Sequence, residues 1–125
     1  MGGGAGVITG DSGNEFIGMY TYPFSATTSE GIAQQAMPVA GTLSKLYIRL
    51  GTAPGANSSW RFVVRKNGTD QALACDISAS AISCDDSNRS VGFSEGDLIS
   101  IRAFNVSGAN PANSSVRWTA KYVTT

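Results

Sequence analysis

Leu46, Ile48 and Leu50 alternate with Lys45, Tyr47 and Arg49, a two-residue period that predicts a strand with one buried and one polar face. The same period recurs downstream. Trp60, Phe62 and Val64 alternate with Arg61 and Arg65; Ile99, Ile101 and Ala103 with Ser100 and Arg102; Val116, Trp118, Ala120 and Tyr122 with Arg117, Thr119 and Lys121. Turn chemistry separates these runs: Pro54-Gly55 lies within a loop from Gly51 to Ser59, and Asn67-Gly68 supplies a tight hairpin turn. No stretch sustains a helical period. Strands recurring about every 10–13 residues with turns between them predict an all-β sandwich or barrel.

The first 30 residues follow a different rule. Met1 to Gly13 is rich in glycine, with Val7 and Ile8 as its apolar anchors, so it has high ordering entropy and little to bury. About 20 extended residues reach roughly 65–70 Å, against a radius of gyration of about 14 Å for a globule of this length. The expected organisation is therefore an extended arm over 1–30 that leaves its own subunit, followed by a sandwich over 31–125. The arm's expected contacts with a neighbour are Gly2, Gly3, Gly4, Val7, Ile8, Phe16 and Ile17. Phe16, Ile17, Met19, Tyr20, Tyr22 and Phe24 form an apolar patch in which Pro23 marks an edge or a bulge, and Ile32 to Val39 is a second extended segment in which Pro38 again points to an edge.

Cys75 and Cys84 sit symmetrically about Ala79-Ser80. A hairpin turning there places the two cysteines in a non-hydrogen-bonded pair, at a Cα spacing of about 4.5 Å that a disulfide tolerates. Such a bond closing a short loop contributes at most about 3 kcal/mol. Two thiols kept reduced in a cytosol are the alternative.

Composition narrows the function classes. Nine basic residues balance nine acidic ones in 125 residues, so the basic surplus of a nucleic-acid binder is missing. The chain has no histidine, which removes the common nucleophile–base triads. Ser44-Lys45 would point to opposite faces of a strand. Asp85, Asp86, Glu95 and Asp97 could serve a glycosidase or hold calcium, but Asp85-Asp86-Ser87-Asn88 and Ser94-Glu95-Gly96-Asp97 read better as turn formers. No cofactor or metal is expected. Met1-Gly2-Gly3-Gly4 lacks the basic start of a signal peptide, and no apolar run reaches membrane-spanning length, so synthesis in a cytoplasm without membrane insertion is expected. Five Asn-x-Ser/Thr triplets, at Asn57, Asn67, Asn88, Asn105 and Asn113, then read as turn chemistry. Among the aromatics, Trp60, Trp118 and Tyr122 follow the buried period. Tyr47 shares the polar face with Lys45 and Arg49, and these three are the candidate exposed contact residues.

Val39-Ala40-Gly41-Thr42-Leu43-Ser44-Lys45-Leu46-Tyr47-Ile48-Arg49-Leu50 resembles a recurrent opening in small proteins encoded by bacteriophages and prophages. The resemblance continues through Ser59-Trp60-Arg61-Phe62, Asn67-Gly68, the Cys75–Cys84 segment, Gly96-Asp97-Leu98-Ile99 and Val116-Arg117-Trp118, covering residues 36–123. The strand order is also similar to that of trimeric jelly rolls such as complement globular heads. The resemblance implies a jelly-roll virion protein, most simply a homotrimeric capsid decoration (cement) protein bridging major capsid protein subunits on the particle surface. Its alternative is a head- or tail-fibre knob that binds a glycan through loops 51–59 or 108–115; a third reading, from a different class, is a non-viral carbohydrate-binding or secreted adhesin module, which the missing export signal disfavours.

Overall fold

The computed structural model describes residues 1–10, 13–19 and 25–125. Within these, the order is β1 (Gly2–Ile8), β2 (Glu15–Ile17), a one-turn helix α1 (Glu30–Ala33), β3 (Gln35–Ala36), β4 (Gly41–Leu50), β5 (Gly55–Lys66), β6 (Thr69–Ala79), β7 (Ser83–Phe93), β8 (Leu98–Asn105) and β9 (Ser114–Thr124). Two antiparallel sheets stack as a sandwich. One runs β1-β9-β4-β7; the other runs β2-β8-β5-β6, with β3 also pairing β8.

The alternation read from sequence places the core. Leu46, Ile48, Leu50, Val116 and Trp118 face inward from the first sheet, and Trp60, Phe62, Val64, Ile101 and Ala103 meet them from the second. Trp60 and Phe62 rings lie 6.2 Å apart, and the Trp118 indole N–H donates to the Gly18 carbonyl at 3.2 Å. At about 25 cal/mol per Å² of apolar surface, these large side chains dominate the stabilisation of the sandwich. Asn67-Gly68 turns β5 into β6 with both residues at positive φ, as that dipeptide requires.

The N-terminal segment corrects the reading of a free arm. β1 is an edge strand of its own subunit, with Gly2 opposite Thr119 and Ala5 opposite Val116, and the Met1 ammonium donates to the Ala120 carbonyl at 3.0 Å. Ala5, Ile8 and Ile17 are fully buried, Phe16 nearly so, and β2 pairs Glu15–Ile17 with β8. Of the proposed neighbour contacts, Val7 is the one that stays substantially exposed. The glycines serve close packing: a Cβ on Gly3 would sit 2.2 Å from the Gly18 carbonyl oxygen, and one on Gly18 would sit 2.5 Å from that of Ala33. The sandwich therefore begins at residue 2 and not at 31.

Two further expectations change. Residues 30–33 form α1, which takes up the start of the extended run expected from Ile32, and Glu30 on this turn pairs with Arg65. Ile32 on that turn is left exposed, while Gln35–Ala36 is extended. The expectations for Tyr20, Tyr22, Pro23 and Phe24 lie outside the described residues. The Cys75–Cys84 segment is not a hairpin within one sheet. A turn does form there, with Ala81 N–H donating to Ser78 at 3.1 Å, but β6 joins β5 and β7 joins β4 in the opposite sheet. Cys75 lies opposite Phe62 in its ladder, and Cys84 opposite Ile48 in the other. Their disulfide, with S–S 1.98 Å and Cα–Cα 5.9 Å, joins the two sheets at their shared edge.

Candidate functional site

Strand β4 brings the three predicted contact residues to one exposed face. Tyr47 is 43% exposed, and Lys45 and Arg49 stand open beside it. The ladders define what surrounds them: Tyr47 lies between Asp85 of β7 and Thr119 of β9, and Arg49 lies between Ser83 and Arg117. Lys121 follows one step along β9, opposite Ser44. Among the described residues, this face carries the basic side chains Lys45, Arg49, Arg117 and Lys121 and the carboxylate of Asp85. Among the described residues, no ion pair or side-chain hydrogen bond engages Lys45, Arg49 or Lys121.

Lys45 occupies a bulge. Its φ is +55°, in the left-handed region that favours glycine, and the register of β4 with both neighbours shifts around it. The bulge changes the phase of the strand, so Leu43 on one side and Leu46 on the other both reach the core. Across from it, β7 bulges at Ser87–Arg89. Asp86 folds inward there and accepts hydrogen bonds from the backbone N–H groups of Asn88 (3.0 Å) and Ala74 (3.2 Å) and from Arg89 Nε (2.7 Å). Burial raises the Asp86 pKa, but these donors outweigh it and hold the carboxyl below its ordinary value. Both its oxygens are engaged by donors, so Asp86 braces a bulge within β7, where the sequence Asp85-Asp86-Ser87-Asn88 was expected to form a turn.

The outer face of the other sheet is wired differently. Arg61 makes a bidentate pair with Asp76 at 2.8 and 3.0 Å. Arg65 grips Glu30 through two nitrogens at 2.8 and 2.9 Å, reaches Asp70 at 2.7 Å and lies over the Phe16 ring. Arg102 meets Asp70 at 2.6 Å and stacks 3.9 Å from the Phe104 ring centroid. Hydrogen bonding from Arg65 holds Glu30 below its ordinary carboxyl value against the cost of burial, and Glu30 in turn tightens the proton on Arg65. At the edge of this face, an open groove of about 640 Å³ is lined by Arg61, Val63, Asp76, Asp85, Arg89 and Phe104.

The second pair of acidic turn residues has a structural job too. Asp97 accepts from the Asn67 amide at 3.0 Å and from Ser94 N–H at 2.8 Å, bonds that hold its pKa down. The loops singled out at 51–59 and 108–115 come together at one end of the sandwich, where Ala112 N–H donates to Pro54 (2.9 Å) and Gly51 N–H to Ser115 (3.1 Å). Sequence reasoning missed the Glu30–Arg65–Ser100 cluster, whose members are 35 and 70 residues apart. Arginines on an outward period were the available signal; their partners were not.

The chain is thus an all-β, two-sheet antiparallel sandwich whose outer sheet faces differ in charge pairing. No protein-family model matches the chain, and a search of curated protein sequences finds no match.

Proposed function

We propose that this chain is a structural protein of a bacteriophage virion, a decoration (cement) protein that seats as a homotrimer on the capsid surface and bridges capsid subunits. We read the strand order β1-β9-β4-β7 over β2-β8-β5-β6 as a jelly-roll wind. The single observation that carries the reading is the exposed β4 face: Tyr47, Lys45 and Arg49 are presented on a stapled, rigid sandwich, and folding has no evident use for them. The resemblance of residues 36–123 to phage-encoded proteins gives that face its setting. With β1 docked on its own subunit, the bridging contact belongs to the sheet face and not to a free arm. The mechanism is mechanical: area buried against neighbouring shell subunits resists their separation.

The test is electron microscopy of purified particles together with co-sedimentation of the chain on them. Density over capsid subunit junctions, with co-sedimentation lost in a Tyr47→Ala/Arg49→Glu variant, is the expected result. Density confined to fibres, or binding untouched by the variant, overturns the proposal.

One feature favours a second reading, a head- or tail-fibre knob recognising a surface glycan. Loops 51–54 and 108–113 are stitched together at one end, next to a cleft of about 290 Å³ lined by Asn14, Phe104, Asn105 and Asn110. Glycan-array binding lost on Asn110→Ala, with no co-sedimentation on capsids, would select it.

A further inference from the structure

Strand β4 carries two features that folding alone does not reward. Lys45 holds a left-handed backbone conformation in which a Cβ is a liability and glycine would be at ease. Arg49 stands directly opposite Arg117, a like-charge register that weakens an antiparallel pair. Both lie on the face that also exposes Tyr47, and Lys121 extends the same sign of charge along β9. Arg61, Arg65, Arg89 and Arg102 all meet carboxylates, whereas Lys45, Arg49 and Lys121 make no ion pair among the described residues. Nine acids balance nine bases overall, so the positive bias of this face is a matter of placement and not of composition.

We infer that the outer face of β4 and β9 docks onto an acidic surface of a partner protein, with Arg49, Lys45 and Lys121 meeting its carboxylates and Tyr47 as the central contact. Charge complementarity selects the sign of the partner. A protein partner fits better than a phosphate polymer or an anionic membrane for two reasons. Asp85 sits in the middle row beside Tyr47, where closely spaced phosphates would be repelled. Tyrosine and arginine at the centre of a flat patch are the residue types that carry protein–protein binding. The inference deepens the reading of this chain as a surface-docking protein by giving the partner's chemistry, and it can be tested with no particle present.

The experiment titrates the full chain with a synthetic glutamate-rich peptide, a DNA duplex and phosphatidylglycerol vesicles, following backbone amide NMR shifts at several salt concentrations. The expected result is peptide-induced shifts confined to β4 and β9, with affinity falling at least ten-fold between low and high salt. Arg49→Thr should weaken peptide binding at least five-fold while raising the melting temperature by about 1–2 °C. That opposed pair of changes would not follow from a merely structural role. Arg102→Thr, on the other sheet, should leave peptide binding unchanged. Shifts spread over both sheets, a lower melting temperature for Arg49→Thr, or tighter binding of the duplex or the vesicles than of the peptide would each overturn the inference. A failed capsid assay with a positive peptide result would remove the viral setting and leave this surface standing.

Discussion

The outer face of the β2-β8-β5-β6 sheet and the outer face of the β1-β9-β4-β7 sheet use the same residue type for opposite ends. On the first, Arg61, Arg65 and Arg102 are tied to Asp76, Glu30 and Asp70, and Phe16 and Phe104 lie beneath guanidinium groups. On the second, Arg49 faces Arg117, and Lys45 holds a strained bulge. A bidentate, largely buried pair such as Arg65–Glu30, each side chain 17% exposed, contributes to stability. Lys45, Arg49 and Lys121, with no ion pair among the described residues, add little to the fold and something to encounter with a partner. The contrast teaches that charge alone says little about the role of an arginine; its partners within the chain decide.

Both faces depend on the sheets staying in place, so the largest expected effect comes from the staple between them. Replacing Cys75 and Cys84 together by alanine should cost about 2–3 kcal/mol in urea unfolding, because the link closes a short loop. Arg65→Ala should cost about 2 kcal/mol in the same assay, since it strands Glu30 beside Ser100. The acid limb of stability sharpens the comparison. Glu30 and Asp86 have folded pKa values below the ordinary 4.5 and 3.8, so their stabilisation is complete above about pH 5 and is lost as pH falls through the lowered values. Glu30→Gln should therefore lower stability at pH 7 and flatten the decline between about pH 5 and pH 2, read by thermal melts across pH.

Effects on the open face should have the opposite sign. Lys45→Gly should stabilise the fold by about 0.5–1 kcal/mol by relieving the left-handed conformation at φ +55°. Arg49→Thr should stabilise it by a few tenths of a kcal/mol, on the order of one cross-strand pair.

Where a side chain alternates, sequence told the story. The buried and exposed faces of β4, β5, β8 and β9, the Asn67-Gly68 turn and the joint exposure of Lys45, Tyr47 and Arg49 all follow from the two-residue period. Where a side chain is missing, it did not. Glycine reads identically whether it loosens a tail or lets two backbones touch, and only the contact of Gly3 with Gly18 separates these cases. The alternation also says which face a strand buries but not which sheet it joins. The symmetric spacing of Cys75 and Cys84 therefore suited a simple hairpin as well as it suited the corner that forms. The bulge at Lys45 was hidden because its residue type gives no sign of a positive φ. Glu30 sat in a segment read as arm, 35 positions before the arginine that fixes it.

Urea unfolding of Arg49→Thr and Arg65→Thr chains side by side, at neutral pH and low salt, puts the central contrast to its plainest trial. The midpoint should shift upward for the first and clearly downward for the second. Two midpoints moving down together would mean that Arg49 serves the fold, and the claim of a face held open for a partner would fall.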